Sequence, residues 1–77
     1  MDHAHLQRRD PARNMQRFYE VDVTLTFFGE ASVVRSWGRI GSYGRTTLET
    51  FATTEAASLS AGTTVRSKLA RGYLVTP

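Results

Sequence analysis

Cysteine is absent from this chain of 77 residues, which excludes disulfide bonds and metal sites built on thiolates. Long apolar runs are absent too: none approaches the roughly 20 residues that span a bilayer, and the first residues lack the apolar stretch of a signal peptide. These absences predict a soluble, cytoplasmic protein that does not bind membranes. Packing alone must then hold together one small domain, because a chain this short rarely makes more than one.

Histidine occurs only as His3 and His5, both close to the N-terminus. Two ligands on a flexible terminus make a poor metal site, and no other histidine is present to activate a serine or a threonine. The glycine-rich motif that cradles phosphates in nucleotide-binding enzymes is absent as well. We therefore expect no enzymatic activity, no metal, no cofactor and no small-molecule substrate.

Lysine is nearly absent, whereas arginine is frequent. Lys68 is the only lysine among ten basic residues, and the net charge is +3. Arginine makes planar, bidentate contacts to phosphates and base edges that lysine makes poorly. A GC-rich genome that encodes arginine in place of lysine would produce the same bias, so the positions of the arginines must decide between the two explanations.

The first 16 residues are polar, rich in arginine and interrupted by Pro11. They show no hydrophobic periodicity, which predicts a flexible basic N-terminal tail over residues 1–16 and a folded domain over residues 17–77. If the ligand is a nucleic acid, basic residues in a tail can add attraction that does not depend on sequence. The arginines concerned are Arg8, Arg9, Arg13 and Arg17.

Alternation of apolar and polar residues predicts three strands, over residues 18–28, 32–40 and 45–51. One face of the first strand carries aromatic and branched residues and is expected to line the core. Its members are Tyr19, Val21, Val23, Leu25 and Phe27. Glycines in the two connections favour tight turns, so the three strands are expected to form an antiparallel meander.

A helix is predicted after the third strand. Thr53 or Thr54 can cap its first turn, and Gly72 suits the position just after its end. The expected apolar stripe of this helix consists of Ala56, Leu59, Gly62, Val65 and Leu69. Residues 73–76 are long enough for a short closing strand. The predicted fold class is α+β, a small antiparallel sheet of about four strands with one helix packed on a face.

The segment Trp37-Gly38-Arg39-Ile40-Gly41, followed by Gly44, resembles the motif of the WGR domain family. The rest of the chain agrees with the order of features in that family over about residues 17–76. The matching features are an aromatic-led strand at 17–21, a strand that ends in Phe51, a helix that opens with Ala56-Ala57 and ends on Lys68, and then Gly72-Tyr73. The resemblance implies an antiparallel sheet with one helix on a face.

The resemblance also implies a function. The WGR domain is best known beside the catalytic domain of poly(ADP-ribose) polymerases, where it helps to bind DNA ends and relays that binding to the catalytic part. By this resemblance, Trp37 would pack against a nucleotide at a DNA terminus, and Arg39 would contact the backbone or a neighbouring domain. Short stand-alone versions occur in bacteria, so we expect a bacterial stand-alone module that is a monomer.

Residues two apart in a strand share a face, so Arg35, Trp37 and Arg39 are expected to project together. The indole offers a stacking surface, and the guanidinium groups beside it can pair with phosphates. Gly38 leaves the backbone open to an approaching sugar-phosphate. The candidate nucleic-acid-binding residues are therefore Arg35, Trp37, Gly38, Arg39, Tyr43 and Arg45.

Two questions about these residues stay open. A lone tryptophan in a small domain is often a core anchor, although two arginines on its own face argue against full burial. Arg35 has a structural alternative, as a cross-strand partner of Glu20 or Asp22. The face as a whole suits nucleic acid, as DNA ends or single strands, but it also suits a partner protein. Salt separates the two ligands, because phosphate binding weakens steeply with ionic strength.

Overall fold

A computed structural model describes residues 3–26 and 28–76. Five strands form one antiparallel sheet in the order β4-β3-β2-β1-β5, and one helix packs on one of its faces. The elements are β1 (His3–Asp10), a 3-10 turn (Pro11–Arg13), β2 (Met15–Leu25), β3 (Ala31–Arg39), β4 (Arg45–Phe51), α1 (Thr54–Ala70) and β5 (Leu74–Val75). The predicted α+β class is confirmed, with five strands where about four were expected. No helix in the described ranges is long and apolar enough to cross a membrane.

The N-terminal residues form a strand where a flexible tail was expected. β1 pairs with β2 along its whole length. Pro11 begins the turn that joins them, and Asn14 closes this turn with φ 51°, a left-handed conformation that asparagine tolerates. The prediction of a tail over residues 1–16 was therefore wrong from residue 3 onward, while residues 1 and 2 lie outside the described ranges. It failed because β1 fully buries only Leu6, and a single apolar residue produces no periodicity.

β5 returns the chain to the outer edge of β1. Its two residues pair with Leu6 and Gln7. Just beyond β5, the Thr76 amide donates to the His5 carbonyl at 2.8 Å, and the Thr76 hydroxyl oxygen lies 2.6 Å from His5 Nδ1. The two ends of the described chain therefore lie side by side.

The helix covers the face of the sheet that carries the alternating apolar residues of β2. Tyr19 and Val21 are buried there, and Val23 packs against them. Leu25, which was expected in this core, is 68% exposed, because it is the last residue of β2 and lies beside the hairpin turn. Phe27 lies outside the described residues. The buried cluster also contains Leu6, Ala31, Val33, Ala57, Ala61 and Tyr73.

Several boundaries agree with the sequence prediction. β4 spans the predicted residues, and both ends of β3 lie one residue from those predicted. The Thr53 hydroxyl caps α1 by accepting the Ala56 amide at 3.1 Å, which satisfies one of the free N–H groups at the helix start. At these places the signals are local, a glycine in a turn or a hydroxyl at a cap.

α1 turns a different side to the sheet from the one predicted. Its buried residues are Ala57 and Ala61, and of the expected stripe only Val65 packs against the core. The leucines of that stripe face solvent, with Leu59 69% and Leu69 43% exposed. Small residues at the contact let the helix backbone lie close to the sheet, whose own aromatic side chains fill the space between the two layers.

Leu6 provides a test of β1. We expect Leu6→Ala to lower the free energy of unfolding by about 2–5 kcal/mol, because it leaves a cavity at a fully buried position. Leu74→Ala in the adjacent strand is the matched control. Leu74 is exposed, so its truncation should cost less than about 0.5 kcal/mol. Urea denaturation followed by circular dichroism measures both, and equal stabilities would show that residues 3–10 are not part of the folded domain.

Candidate nucleic-acid interface

A cleft of about 430 Å³ opens on the helix-covered side of the sheet, near the end of α1. We call it the basic cleft. It lies where the start of β2 and the end of β3 run past the last turn of the helix. Its lining residues are Arg13, Asn14, Met15, Gln16, Arg17, Phe18, Tyr19, Trp37, Gly38, Arg39, Lys68 and Tyr73.

Aromatic rings form the floor of the basic cleft. Tyr19 and Trp37 are opposite each other in the β2–β3 pairing, and their rings stack with centroids 5.9 Å apart and an interplanar angle of 15°. Tyr73 meets Tyr19 edge-on at 6.5 Å. Both tyrosines are buried, whereas Trp37 is only half-buried. Trp37 therefore packs against the core and also lines the cleft, so it is neither a wholly buried anchor nor a wholly exposed platform.

Lys68 brings a cation from the last turn of α1 to this floor. Its Nζ lies 4.5 Å from the centroid of the Tyr19 ring and 5.6 Å from that of Tyr73, a cation–π arrangement. Burial lowers the pKa of Lys68, and the charges of Arg71 and Arg17 lower it further. The positive charge of Lys68 is thus disfavoured by its surroundings, and an anion in the cleft would favour it.

Three arginines stand in one row across the helix-covered side of the sheet. Arg8 lies opposite Arg17 in the β1–β2 pairing, and Arg17 lies opposite Arg39 in the β2–β3 pairing. We call these three residues the arginine row. Like charges directly opposite each other destabilise a sheet. Within residues 3–26 and 28–76, no member of the row forms an ion pair with a carboxylate. A bound anion would therefore offset the repulsion between the three arginines.

The described lining of the basic cleft includes no carboxylate. Asp10, two residues along β1 from Arg8, pairs instead with Arg13 at 3.6 Å. Arg39 Nη1 donates to the Asn14 carbonyl at 3.4 Å, which links the end of β3 to the turn before β2 and leaves the remaining guanidinium donors free to bind other groups. The charge of this cleft is therefore positive, and its hydrogen-bonding capacity suits an anion with several oxygens.

Of the six residues expected to bind nucleic acid, the structure brings Trp37, Gly38 and Arg39 to the basic cleft. Gly38, however, was expected to leave its backbone open, and that expectation was wrong. A Cβ at Gly38 would lie 2.7 Å from the Cα of Gly44 and 3.2 Å from the hydroxyl of Ser42. The glycine is required because the loop after β3 packs directly on the strand.

Arg35 does share a face with Trp37, as expected, but it is committed to the helix. Its Nε donates to the Thr64 hydroxyl at 3.1 Å, and its Nη2 donates to the Ser60 hydroxyl at 2.8 Å. Its Nη1 donates to Glu49 at 3.1 Å, so only 15% of the side chain is exposed. The prediction of a ligand-facing Arg35 was wrong because α1 covers this part of the strand.

The alternative partners of Arg35, Glu20 and Asp22, lie on the opposite face of the sheet, so that expectation was wrong as well.

Tyr43 is fully exposed in the loop between β3 and β4, and it does not line the basic cleft. Arg45 lies opposite Trp37 in the β3–β4 pairing. It therefore flanks the tryptophan on the same face without lining the cleft.

Several residues of this site were not expected in these positions. Arg17, Tyr19, Lys68 and Tyr73 line the cleft, and Arg8 extends the row beside it. Of these, Arg8 and Arg17 were expected only as basic residues of a flexible tail that could add attraction to a nucleic acid. Arg17 carried a usable signal, since it stands two residues before Tyr19 and must share its face. Arg8 carried none, because its place in the row depends on pairing between β1 and β2, and β1 was not predicted.

Comparison with known proteins agrees with this architecture. The family model of the WGR domain matches residues 2–77. An uncharacterized protein of Sinorhizobium fredii, y4dW, is 36% identical over 73 residues, which are 95% of this chain and 36% of the length of that relative. No solved structure matches the chain. With its sheet and single helix, its Trp37-Gly38-Arg39 segment at the end of β3 and a match over nearly all its residues, this chain belongs to the WGR domain family.

Proposed function

We propose that this domain binds nucleic acid in the basic cleft, as DNA ends or single strands. The observation that carries the proposal is the arginine row, two members of which line a cleft with an aromatic floor and no carboxylate in its described lining. Phosphate oxygens supply the negative charge and the acceptors that these guanidinium groups lack. The association of WGR domains with DNA ends points to the same ligand.

The size of the cleft favours a single nucleotide. Its volume of about 430 Å³ lies within the range of small-ligand pockets, whereas a duplex would have to lie across its rim. A base placed on the uncovered surface of Trp37 would gain about 1–3 kcal/mol from stacking. Arg17 and Arg39 would hold phosphates beside it. A terminal or unpaired nucleotide fits this arrangement better than the middle of a duplex does.

We further propose that the domain binds without catalysing a reaction, in the cytoplasm and without a cofactor. The described lining consists of cations, aromatic rings, amides and apolar groups. Histidine and carboxylates, which act most often as general acids and bases, are not among those residues. Lys68, Tyr19 and Tyr73 can exchange protons, but no histidine or carboxylate stands beside them in the described lining. The cleft is thus better equipped to hold a polyanion than to cleave it.

A partner protein is the alternative occupant. An acidic segment with an aromatic side chain would complement the same cations and the same exposed part of Trp37, and Arg39 is exposed at the rim where a partner would reach it. The two ligands differ in their response to salt. Binding of phosphates releases counterions and weakens steeply as salt rises, whereas apolar docking does not.

The arginines of the cleft give the first test. We expect Arg17→Ala and Arg39→Ala each to weaken binding to a short duplex with a single-stranded overhang, and to reduce the slope of log affinity against log salt by about one. Fluorescence anisotropy at several salt concentrations measures both quantities. Melting temperatures should stay equal to that of the parent or rise, because each change relieves repulsion between like charges.

The matched control for the arginines is Arg9→Ala. Arg9 is adjacent to Arg8 in the same strand, but it projects from the opposite face of the sheet. The Arg9→Ala variant should therefore lose little affinity for the nucleic acid. An equal loss in Arg9→Ala and Arg17→Ala would mean that net charge alone governs binding, and a parent protein that binds no nucleic acid would leave the partner protein as the ligand.

Trp37 gives the second test. Trp37→Ala should weaken nucleic-acid binding by about 1–3 kcal/mol, because it removes a stacking surface. It should also destabilise the fold, but by less than the about 3–5 kcal/mol lost with a fully buried aromatic residue. Tyr43→Ala, which removes a fully exposed aromatic ring from the loop, should change neither property. Unaltered affinity of a folded Trp37→Ala variant would exclude stacking on this ring.

Lys68 gives a test by pH. The lowered pKa means that its ammonium loses its proton at a lower pH than an exposed lysine does. Affinity for nucleic acid should therefore begin to fall at a pH below the range in which an exposed lysine titrates, and binding should take up protons there. Lys68→Arg keeps its charge throughout, so its affinity should stay constant. Identical pH profiles for the two proteins would remove Lys68 from the binding site.

A further inference from the structure

The outer edge of β4 is a long unpaired strand edge. β4 is the terminal strand on its side of the sheet, and no other strand in the described part of the chain pairs with it beyond β3. All of its residues except Phe51 are exposed. The backbone N–H and C=O groups on this edge are therefore available to pair with another chain.

Proteins usually protect such edges, and β4 carries few of the protective features. It contains no proline, no lysine and no glycine over its seven residues, although proline, lysine and bulges are the common devices that prevent edge pairing. Three threonines and a phenylalanine give it a high strand propensity. The opposite edge of the sheet is interrupted, because the two residues of β5 pair only with Leu6 and Gln7 of β1.

We propose that β4 pairs antiparallel with β4 of a second copy of this chain, forming a twofold symmetric dimer. The register that pairs all seven residues is centred on Leu48, so that Leu48 lies opposite its own counterpart. Leu48 is 65% exposed, and its neighbour across the β3–β4 pairing is the half-buried Val34. In the dimer the two leucines and the two valines would form one apolar strip across the joined sheets.

The charges of β4 favour a second copy over an unrelated strand. In this register Arg45 of one copy lies one diagonal step from Glu49 of the other, and the relation repeats by symmetry, as a twofold interface requires. Long side chains reach across such a diagonal. Arg45 has no ion pair in the described residues of its own chain. Glu49 binds Arg35 of its own chain through Oε1, so its second carboxylate oxygen is the one that would accept from Arg45 of the other copy.

The geometry of the joined sheet follows from the pairing. Antiparallel edge pairing about a twofold axis keeps both helices on the same face and reverses the strand direction, so the two basic clefts lie at opposite ends of the joined sheet. The sequence alone predicted a monomer, whereas this edge favours self-association. The area that one strand pair buries is small, so the dimer should be weak and its population should depend on concentration. The inference does not depend on what the cleft binds.

The absence of cysteine allows a direct test of the register by cross-linking of the full chain. Leu48→Cys should form a disulfide-linked dimer on mild oxidation, since directly opposite residues lie within disulfide range. Thr46→Cys should not, because Thr46 is opposite Thr50 in the proposed register. A mixture of Thr46→Cys and Thr50→Cys should cross-link between the two proteins. Efficient cross-linking of Thr46→Cys alone would overturn the register.

Sedimentation equilibrium tests the dimer without a cross-link. The parent should approach twice the monomer mass as its concentration rises, and Leu48→Lys should remain a monomer because it places two like charges opposite each other. Leu59→Lys is the matched control, since Leu59 is equally exposed at 69% but lies on the helix; it should dimerise as the parent does. A parent that stays monomeric up to millimolar concentration, or a Leu48→Lys variant that still dimerises, would overturn the proposal.

Discussion

β2 is apolar on both of its faces near its start, where two adjacent aromatic residues are both buried. Tyr19 lies beneath the helix, and Phe18 lies on the other face, where its ring packs against Gly38 and Gly44. The pairing with β3 puts Tyr19 opposite Trp37 and Phe18 opposite Gly38. A slip of one residue would place Phe18 under the helix and turn the tyrosine away from it. The stacked pair, the arginine row and the basic cleft all depend on this register.

The three residues of the Trp-Gly-Arg segment lie in three different environments, although they follow one another in one strand. Trp37 points to the helix side and stacks on Tyr19. Gly38 points to the other side, where a side chain would collide with the backbone of Gly44. Arg39 returns to the helix side, at the rim of the cleft. The alternation of a strand thus explains why a large aromatic residue, a glycine and a cation follow one another, since each occupies a different environment.

Local signals in the sequence were sufficient for much of this fold. Turn glycines delimited β3 and β4, Thr53 marked the start of α1, and alternation identified the buried side of β2. β1 was missed because its order comes from pairing with β2 rather than from its own pattern. The phase of α1 was also missed, because its contact with the sheet uses Ala57 and Ala61, while its leucines face solvent.

In the candidate site, too, local signals predicted some residues, whereas long-range pairing determined the others. Trp37, Gly38 and Arg39 could be named from the motif, and the rule of alternation placed Arg35 on the face of Trp37 and Arg39. Alternation does not say where along a strand the helix lies, and so the engagement of Arg35 by α1 was not foreseen. The arginine row requires the registers of three strands at once, and such long-range pairing is not encoded in the spacing of residues along the chain.

The return of β5 to β1 bears on how this domain can be combined with others. Because Thr76 is bonded to His5, a connecting chain would enter and leave the domain at neighbouring points on one edge. A unit with adjacent ends can be inserted into a surface loop of a host protein, or placed between two other units, without straining its neighbours. In the relative from Sinorhizobium fredii, the matched region makes up 36% of the length and so belongs to a longer chain. Shuffling among unrelated proteins would be easy for a module built this way.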